Sequence, residues 1–281
     1  MRTEEEIKNL VKEKYSEIAL QDKATNETSC CGSGGCSTEV YNIMNDDYSQ
    51  LEGYSADADL GLGCGLPTEF ALIKEGDVVI DLGSGAGNDC FVARSATGES
   101  GKVIGIDFTP AMISKARENA EKLNFNNVEF RQGDIDQMPV SANTADVIVS
   151  NCVLNLVPDK EKVYREIYRV LKPGGHFSIS DVVLVGNLPE NLRNAAEMYA
   201  GCVAGAIQKD AYLGLIRDSG FDELTIQKEK AIVIPDDILS NYLSKEELNA
   251  FRNSGVGIFS VNVFARKPQQ QSSCISGSGC C

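Results

Sequence analysis

The sequence has little of what several common kinds of protein are built from. It carries one histidine in 281 residues. No stretch approaches the roughly 20 consecutive apolar residues that a membrane-spanning helix needs. The start, MRTEEEIKNLVKEKYSEIAL, is charged throughout and lacks the apolar centre of a secretory leader. No repeat of solenoid period is present. Basic residues are in the minority, 26 Lys and Arg against 41 Asp and Glu, for a formal net charge of -15. A nucleic-acid partner would call for a basic face, so this balance speaks against one. No Cys-x-x-Cys pair occurs, which sets aside ordinary zinc-site spacing. The single histidine, His176, falls inside a predicted strand and reads as structural. The expectation is a cytoplasmic chain, 42% hydrophobic and long enough for a substantial core, with no membrane partner.

Against these shortages stand ten cysteines. Three lie in SCCGSGGC, where Cys30, Cys31 and Cys36 share a run with three glycines, and three more close the chain in CISGSGCC as Cys274, Cys280 and Cys281. A reducing compartment keeps thiols reduced unless they are catalytic or bind something. So many cysteines there call for chemistry or for a soft ligand.

The chain divides by texture. Residues 1–66 form an N-terminal helix followed by a Cys/Gly-rich extension, the helix indicated by Ile7, Leu10, Val11, Tyr15 and Ile18 at helical spacing. Residues 67–185 alternate strand and helix signals, from DVVIDLGSGAGND through KVIGID, PAMISKARENAEKLN, VEFRQGD, ADVIVSN and KEKVYREIYRVLK to GGHFSISDVV. Such alternation predicts a Rossmann-like α/β core, a mostly parallel sheet with helices on both faces. Residues 186–268 add helical segments and two strand-like runs, DELTIQKEKAIVI and GIFSVNVFARK, which can complete the sheet. Residues 269–281 are polar and glycine-rich and predict a disordered, Cys-rich tail.

The core carries a ligand signal at the carboxyl ends of its strands, where open α/β sheets bind. Gly83, Gly85 and Gly87 follow a strand and open a helix, a turn that lets backbone approach a ligand closely. Asp107 ends the next strand, where a carboxylate takes ribose hydroxyls, and Asp134 ends the third at the same edge. A dinucleotide enzyme would fit the glycines. The combination D-L-G-x-G-x-G with GID and GD resembles more closely the class I S-adenosylmethionine-dependent methyltransferases. That resemblance implies a seven-stranded sheet. It implies that Asp81 supports the methionine end of the cofactor, Asp107 the ribose and Asp134 the region of the adenine.

Thiols sit where a substrate would. Cys152, flanked by Asn151 and Asn155 in SNCVLN, ends the fourth strand, and Asn151 is counted with the cofactor residues. Cys202 shares a predicted helix face with Ala195, Tyr199 and Ala206, and Cys64 lies between glycines in GLGCGLP, which make its backbone permissive. Cys90, inside the helix after the glycine turn, reads as packing. Thiolates select soft ions, and trivalent arsenic accepts three sulfurs while keeping a lone pair. A nucleophile without a proton to lose needs no general base, so positioning alone can carry the transfer.

The blocks YSQLEGYSADADLGLGCGLP, DLGSGAGND, SNCVLNLVPDK and EMYAGCVAGA resemble those of the arsenite S-adenosylmethionine methyltransferases over roughly residues 36–266. The resemblance implies methyl transfer to arsenic(III), giving methylarsenite and dimethylarsenite from arsenite and methylarsenite. It implies that Cys64, Cys152 and Cys202 are the arsenic ligands and that Cys36 is a redox-active thiol. Cys36 would form a disulfide with Cys64 after transfer, to be reopened by thioredoxin or glutathione. No permanently bound metal is expected. The remaining terminal cysteines would be accessory. Two other readings stay open: a methyltransferase for another small molecule, and a metalloid-sequestering protein on the same fold.

Overall fold

The computed structural model describes residues 3–20, 47–187, 205–233, 236–254 and 256–269. Helix α1, Glu4–Ala19, starts at a capping box in which Thr3 and Glu6 satisfy each other's backbone N–H groups. Its buried residues Val11 and Ile18 recur at two-turn spacing and face the rest of the protein. A short helix α2, Pro67–Phe70, opens on proline, which suits a first helical turn.

The core then alternates β1 (Val78–Leu82), α3 (Asn88–Thr97), β2 (Lys102–Asp107), α4 (Pro110–Lys122), β3 (Val128–Gln132), β4 (Ala145–Asn151), a 3-10 turn at Leu154–Leu156, α5 (Lys160–Val170) and β5 (Leu171–Val185). It continues with α6 (Lys209–Asp218), β6 (Asp222–Ala231), a single turn α7 (Asp236–Leu239), α8 (Lys245–Asn253) and β7 (Gly257–Arg266). One seven-stranded sheet results, in the order β3-β2-β1-β4-β5-β7-β6. The first five neighbours pair in parallel, while β7 runs antiparallel to both β5 and β6. Strands β1 and β4 are buried almost throughout, as a sheet covered on both faces requires. This is the Rossmann-like, mostly parallel α/β sheet expected from the alternation.

Some boundaries differ from the pattern. Strand β5 begins at Leu171, ahead of the expected GGHF start, because Leu171 is already extended where α5 ends and pairs with Ala145 of β4. The parallel pairing of β3-β2-β1-β4 brings the carboxyl ends of β1, β2 and β4 to one edge, and α1 packs against α4 beside that edge. A crossing in strand order lies between β1 and β4, the place where an open α/β sheet leaves a crevice. Among the described residues no helix is long and apolar enough to cross a membrane.

Candidate active site

A cleft of about 1100 Å³, open to solvent, lies at that crevice. Its floor is the turn from β1 into α3. Gly83 has φ of +70°, and a Cβ there would sit 2.4 Å from a Val153 methyl, so only glycine lets β1 and the post-β4 loop close together. Gly85, at φ +50°, is the opposite case: a Cβ would meet nothing within 4 Å, because the position faces the open cleft. Gly87 caps α3 in left-handed geometry. The carboxylate of Asp107, 7% exposed, accepts from the backbone N–H of Gly85 at 3.0 Å and of Thr109 at 2.8 Å. Asp134 stands at the rim, half exposed, 3.3 Å from Lys8 of α1.

The cleft is strongly acidic. Asp59, Asp81, Asp89, Asp107 and Asp134 line it, and Lys8 is the one basic side chain among its described lining residues. Burial, with repulsion from Asp89 and Asp107, pushes the Asp81 carboxyl well above its ordinary range, and the Cys90 thiol donates to it at 3.3 Å. Cys90 is therefore more than packing. Asp89 is raised to about 6, chiefly by desolvation; hydrogen bonds from Tyr48, Asn151 and Thr68 work against that rise. Such a site favours a cation. Two buried hydroxyls on its wall, Ser84 Oγ and Thr109 Oγ1, have no hydrogen-bond partner among the described residues. Orphaned polar atoms beside open space over Gly85 suit a polar ligand that enters and satisfies them.

Two of the four implicated thiols are described. Cys152 lines the cleft and is 2% exposed. Its φ is +61°, a left-handed conformation that costs a non-glycine residue roughly 1–3 kcal/mol. The backbone is held there because the Cys152 N–H donates to Ser180 O at 2.8 Å and Asn155 Nδ2 donates to Val182 O at 2.6 Å. Cys64, 1% exposed, packs in the same buried cluster as Cys152, with Val11, Leu156, Val182 and Leu184. The glycines flanking Cys64 do not serve the backbone freedom that their spacing suggests. Neither Gly63 nor Gly65 is left-handed; a Cβ on Gly63 would sit 2.6 Å from Asn151 Nδ2, and one on Gly65 2.6 Å from Ser180 Oγ. They are glycines because the loop presses onto β4 and β5. A buried polar ladder on β5 and β7 receives it, with Ser260 donating to Cys64 O and Ser178 to Pro67 O. Cys36 and Cys202 lie outside the described residues, as do Cys30, Cys31, Cys274, Cys280 and Cys281.

Asn151 lines the cleft, yet its amide serves the thiol loop. Its Oδ1 accepts from Cys64 N–H at 2.9 Å and its Nδ2 donates to Gly65 O at 2.9 Å. His176 is remote from the cleft, 2.6 Å from Ala71 O, in keeping with a structural role.

A family model described as a methyltransferase domain matches residues 73–220. An arsenite methyltransferase of Halobacterium salinarum is 40% identical across 95% of this chain and 68% of its own length. The chain belongs to the arsenite methyltransferase family. The arsenite methyltransferase of Aquipseudomonas alcaligenes is likewise 40% identical, across 64% of this chain and 54% of its own length, so this member spans about half of that relative. Among solved structures, an arsenic(III) S-adenosylmethionine methyltransferase from Chlamydomonas reinhardtii superposes with a TM-score of 0.62 at 28% identity, covering 85% of this chain and 76% of the other. This family member is thus a methyl-transferring enzyme whose cosubstrate is S-adenosylmethionine. The acidic cleft, the orphaned hydroxyls and the open space over Gly85 fit that cationic nucleoside.

Several lining residues escaped the sequence reading. Lys8, Val11 and Tyr15 of α1 reach the cleft, as do Tyr48 and Asp59 from the extension. Asp89 offered a signal, since it stands in the first turn of the helix opened by the glycines. Tyr48 opens the block YSQLEGYSADADLGLGCGLP, but the weak periodicity around it gave no sign of its contacts.

Proposed function

We propose that this enzyme transfers methyl groups from S-adenosylmethionine to trivalent arsenic held by Cys64, Cys152 and Cys202, yielding methylarsenite and dimethylarsenite. S-adenosylmethionine supplies an electrophilic methyl group on a sulfonium sulfur. The observation that carries the reading is the pairing of Cys64 and Cys152 in one buried cluster beside the cleft, tied together through Asn151.

Each residue has a defined task in this reading. Asp107 takes the ribose, Asp81 supports the methionine end, and Asp134 lies toward the adenine. Gly83, Gly85 and Gly87 keep the floor free of side chains. The thiolates bind arsenic as sulfur ligands and leave its lone pair to face the methyl group. No proton leaves the nucleophilic atom, so the lack of a histidine base at the cleft costs nothing. The protein's contribution is alignment and exclusion of water. Cys36 then pairs with Cys64 as two electrons pass from the thiols to the oxidised, methylated arsenic, and thioredoxin or glutathione reduces that disulfide.

Formation of S-adenosylhomocysteine on adding arsenite to the reduced enzyme tests this reading. Release in proportion to methylarsenical supports it. Release with other acceptors only would move the activity to a different small molecule, and arsenic binding without release would mean sequestration.

A further inference from the structure

Tyr48 joins three parts of the molecule that are distant in sequence. Its side chain is 3% exposed and packs with Leu66 and Val92. Its hydroxyl lies 2.9 Å from each carboxylate oxygen of Asp89 on α3, 3.1 Å from Gly65 O in the thiol loop, and within hydrogen-bond reach of Asn151 Nδ2 at the end of β4. A phenol has one proton to give and lone pairs to receive with. Here it donates to Asp89 or Gly65 O and accepts from Asn151. Thr68 also donates to Asp89, at 3.4 Å. Asn151 in turn holds Cys64 by its backbone N–H and immediately precedes Cys152.

We propose that Tyr48 is a positioning residue: its hydroxyl, clamped between Asp89 and Asn151, fixes the Cys64–Gly65 loop in one register with Cys152 and with the cofactor cleft. This rests on the reading of Cys64 and Cys152 as arsenic ligands. The network has no slack. Gly63 and Gly65 leave no room for a side chain against Asn151 and Ser180, and the Tyr48 hydroxyl and Asn151 Nδ2 both reach the Gly65 carbonyl. A shift of the thiol loop by about an ångström would misalign arsenic and methyl group, and misplacement on that scale costs on the order of a hundredfold in rate. Asp89 gives the clamp a charged end. It faces Asp59 from the extension and Asp81 from β1, with Tyr48 and Asn151 as its hydrogen-bond donors on that side.

Tyr48→Phe removes the hydroxyl and keeps the ring. Two readouts apply to the full-length reduced enzyme. The first is the rate of Cys64 alkylation by iodoacetamide without substrate, quantified by peptide mass. The second is steady-state arsenite methylation. The expected result is Cys64 labelling at least about tenfold faster, with kcat at least about tenfold lower and the KM for S-adenosylmethionine changed by less than about threefold. The acid limb of the kcat profile should also move to higher pH, because Asp89 loses a hydrogen bond that favours its ionised form. Unchanged Cys64 labelling overturns the proposal, as does a rate loss matched by equal losses of cofactor affinity and melting temperature. Asp89→Asn is the second variant and carries the same expectations for labelling and kcat should Y48F fail to fold. Faster labelling in Y48F alongside a wild type that methylates no arsenic would uphold the clamp and overturn the arsenic reading instead.

Discussion

The backbone N–H of Cys64 donates to Asn151 Oδ1 at 2.9 Å, and Asn151 is the residue that precedes Cys152. One side chain therefore ties the loop that carries Cys64 to the end of the central strand that leads into Cys152. Both thiols are buried in the same cluster, beside a cleft lined by acidic groups. In the proposed reading, arsenic bound by these thiols would face the methyl group of S-adenosylmethionine held in that cleft.

Cys152→Gly should keep the fold and lose the reaction. Glycine accepts φ of +61° without strain, so the variant removes the thiol while relieving the backbone. The lost side chain and the relieved strain oppose each other, and stability should stay within about 1–2 kcal/mol of wild type by denaturant melts. Arsenite methylation should fall below detection. Turnover at the wild-type rate would remove Cys152 from the ligand set.

Gly85→Ala and Gly83→Ala should separate binding from folding. A methyl group at Gly85 points into open cleft, so stability should drop by only the left-handed penalty, about 1–2 kcal/mol. Affinity for S-adenosylmethionine, measured by calorimetry, should fall at least about tenfold. At Gly83 the methyl would strike Val153, and overpacking on top of backbone strain should destabilise by roughly 2–5 kcal/mol. Equal effects at the two positions would contradict the assignment of Gly85 to the ligand face.

Asp107→Ala should weaken cofactor binding at least about tenfold, as expected from the loss of charge-assisted hydrogen bonds. Arsenite binding, followed by protection of Cys152 from alkylation, should stay nearly intact. Loss of both together would show that the thiols depend on Asp107.

Stability should decline as pH rises toward neutrality, and Asp181 supplies part of that slope. This carboxyl on β5 is fully buried and raised to about 7, chiefly by desolvation. Hydrogen bonds from Val182 N–H at 3.0 Å and the Tyr212 hydroxyl at 3.5 Å, together with the charge of Lys160, only partly offset it. Between the ordinary carboxyl pKa near 4 and about 7 the native state binds the proton that the unfolded chain has released. Stability therefore falls across that window, by up to about 4 kcal/mol, and levels off above it. In Asp181→Asn the melting temperature should drop less between pH 5 and pH 8, a range covering most of the window. An unchanged slope would show that Asp181 does not contribute to it.

Much of the sheet could be read directly. Apolar runs such as VVIDL and ADVIVSN, glycine turns and helices with three-to-four-residue periodicity carry local signals, and the β1–α3 glycines mark the binding edge. The relations that make the site were not legible, for physical reasons. A left-handed cysteine leaves no compositional trace, because its geometry is imposed by bonds to Ser180 and by Asn155. The glycines around Cys64 signal either freedom or crowding, and only the neighbours, Asn151 and Ser180, decide for crowding. Tyr48 and Asp89 meet through tertiary packing alone, so no spacing predicts their contact. Cys90 looked like an inert core thiol because nothing in a helix pattern shows that Asp81 lies beneath it.

The most direct test of the account uses purified, reduced, full-length enzyme with arsenite and S-adenosylmethionine labelled in its methyl group, the arsenic species being separated by chromatography and detected by mass. Labelled methylarsenite followed by dimethylarsenite, both missing with Cys152→Gly, is the predicted result. Arsenic recovered entirely as arsenite, with the labelled methyl group unspent, would contradict it.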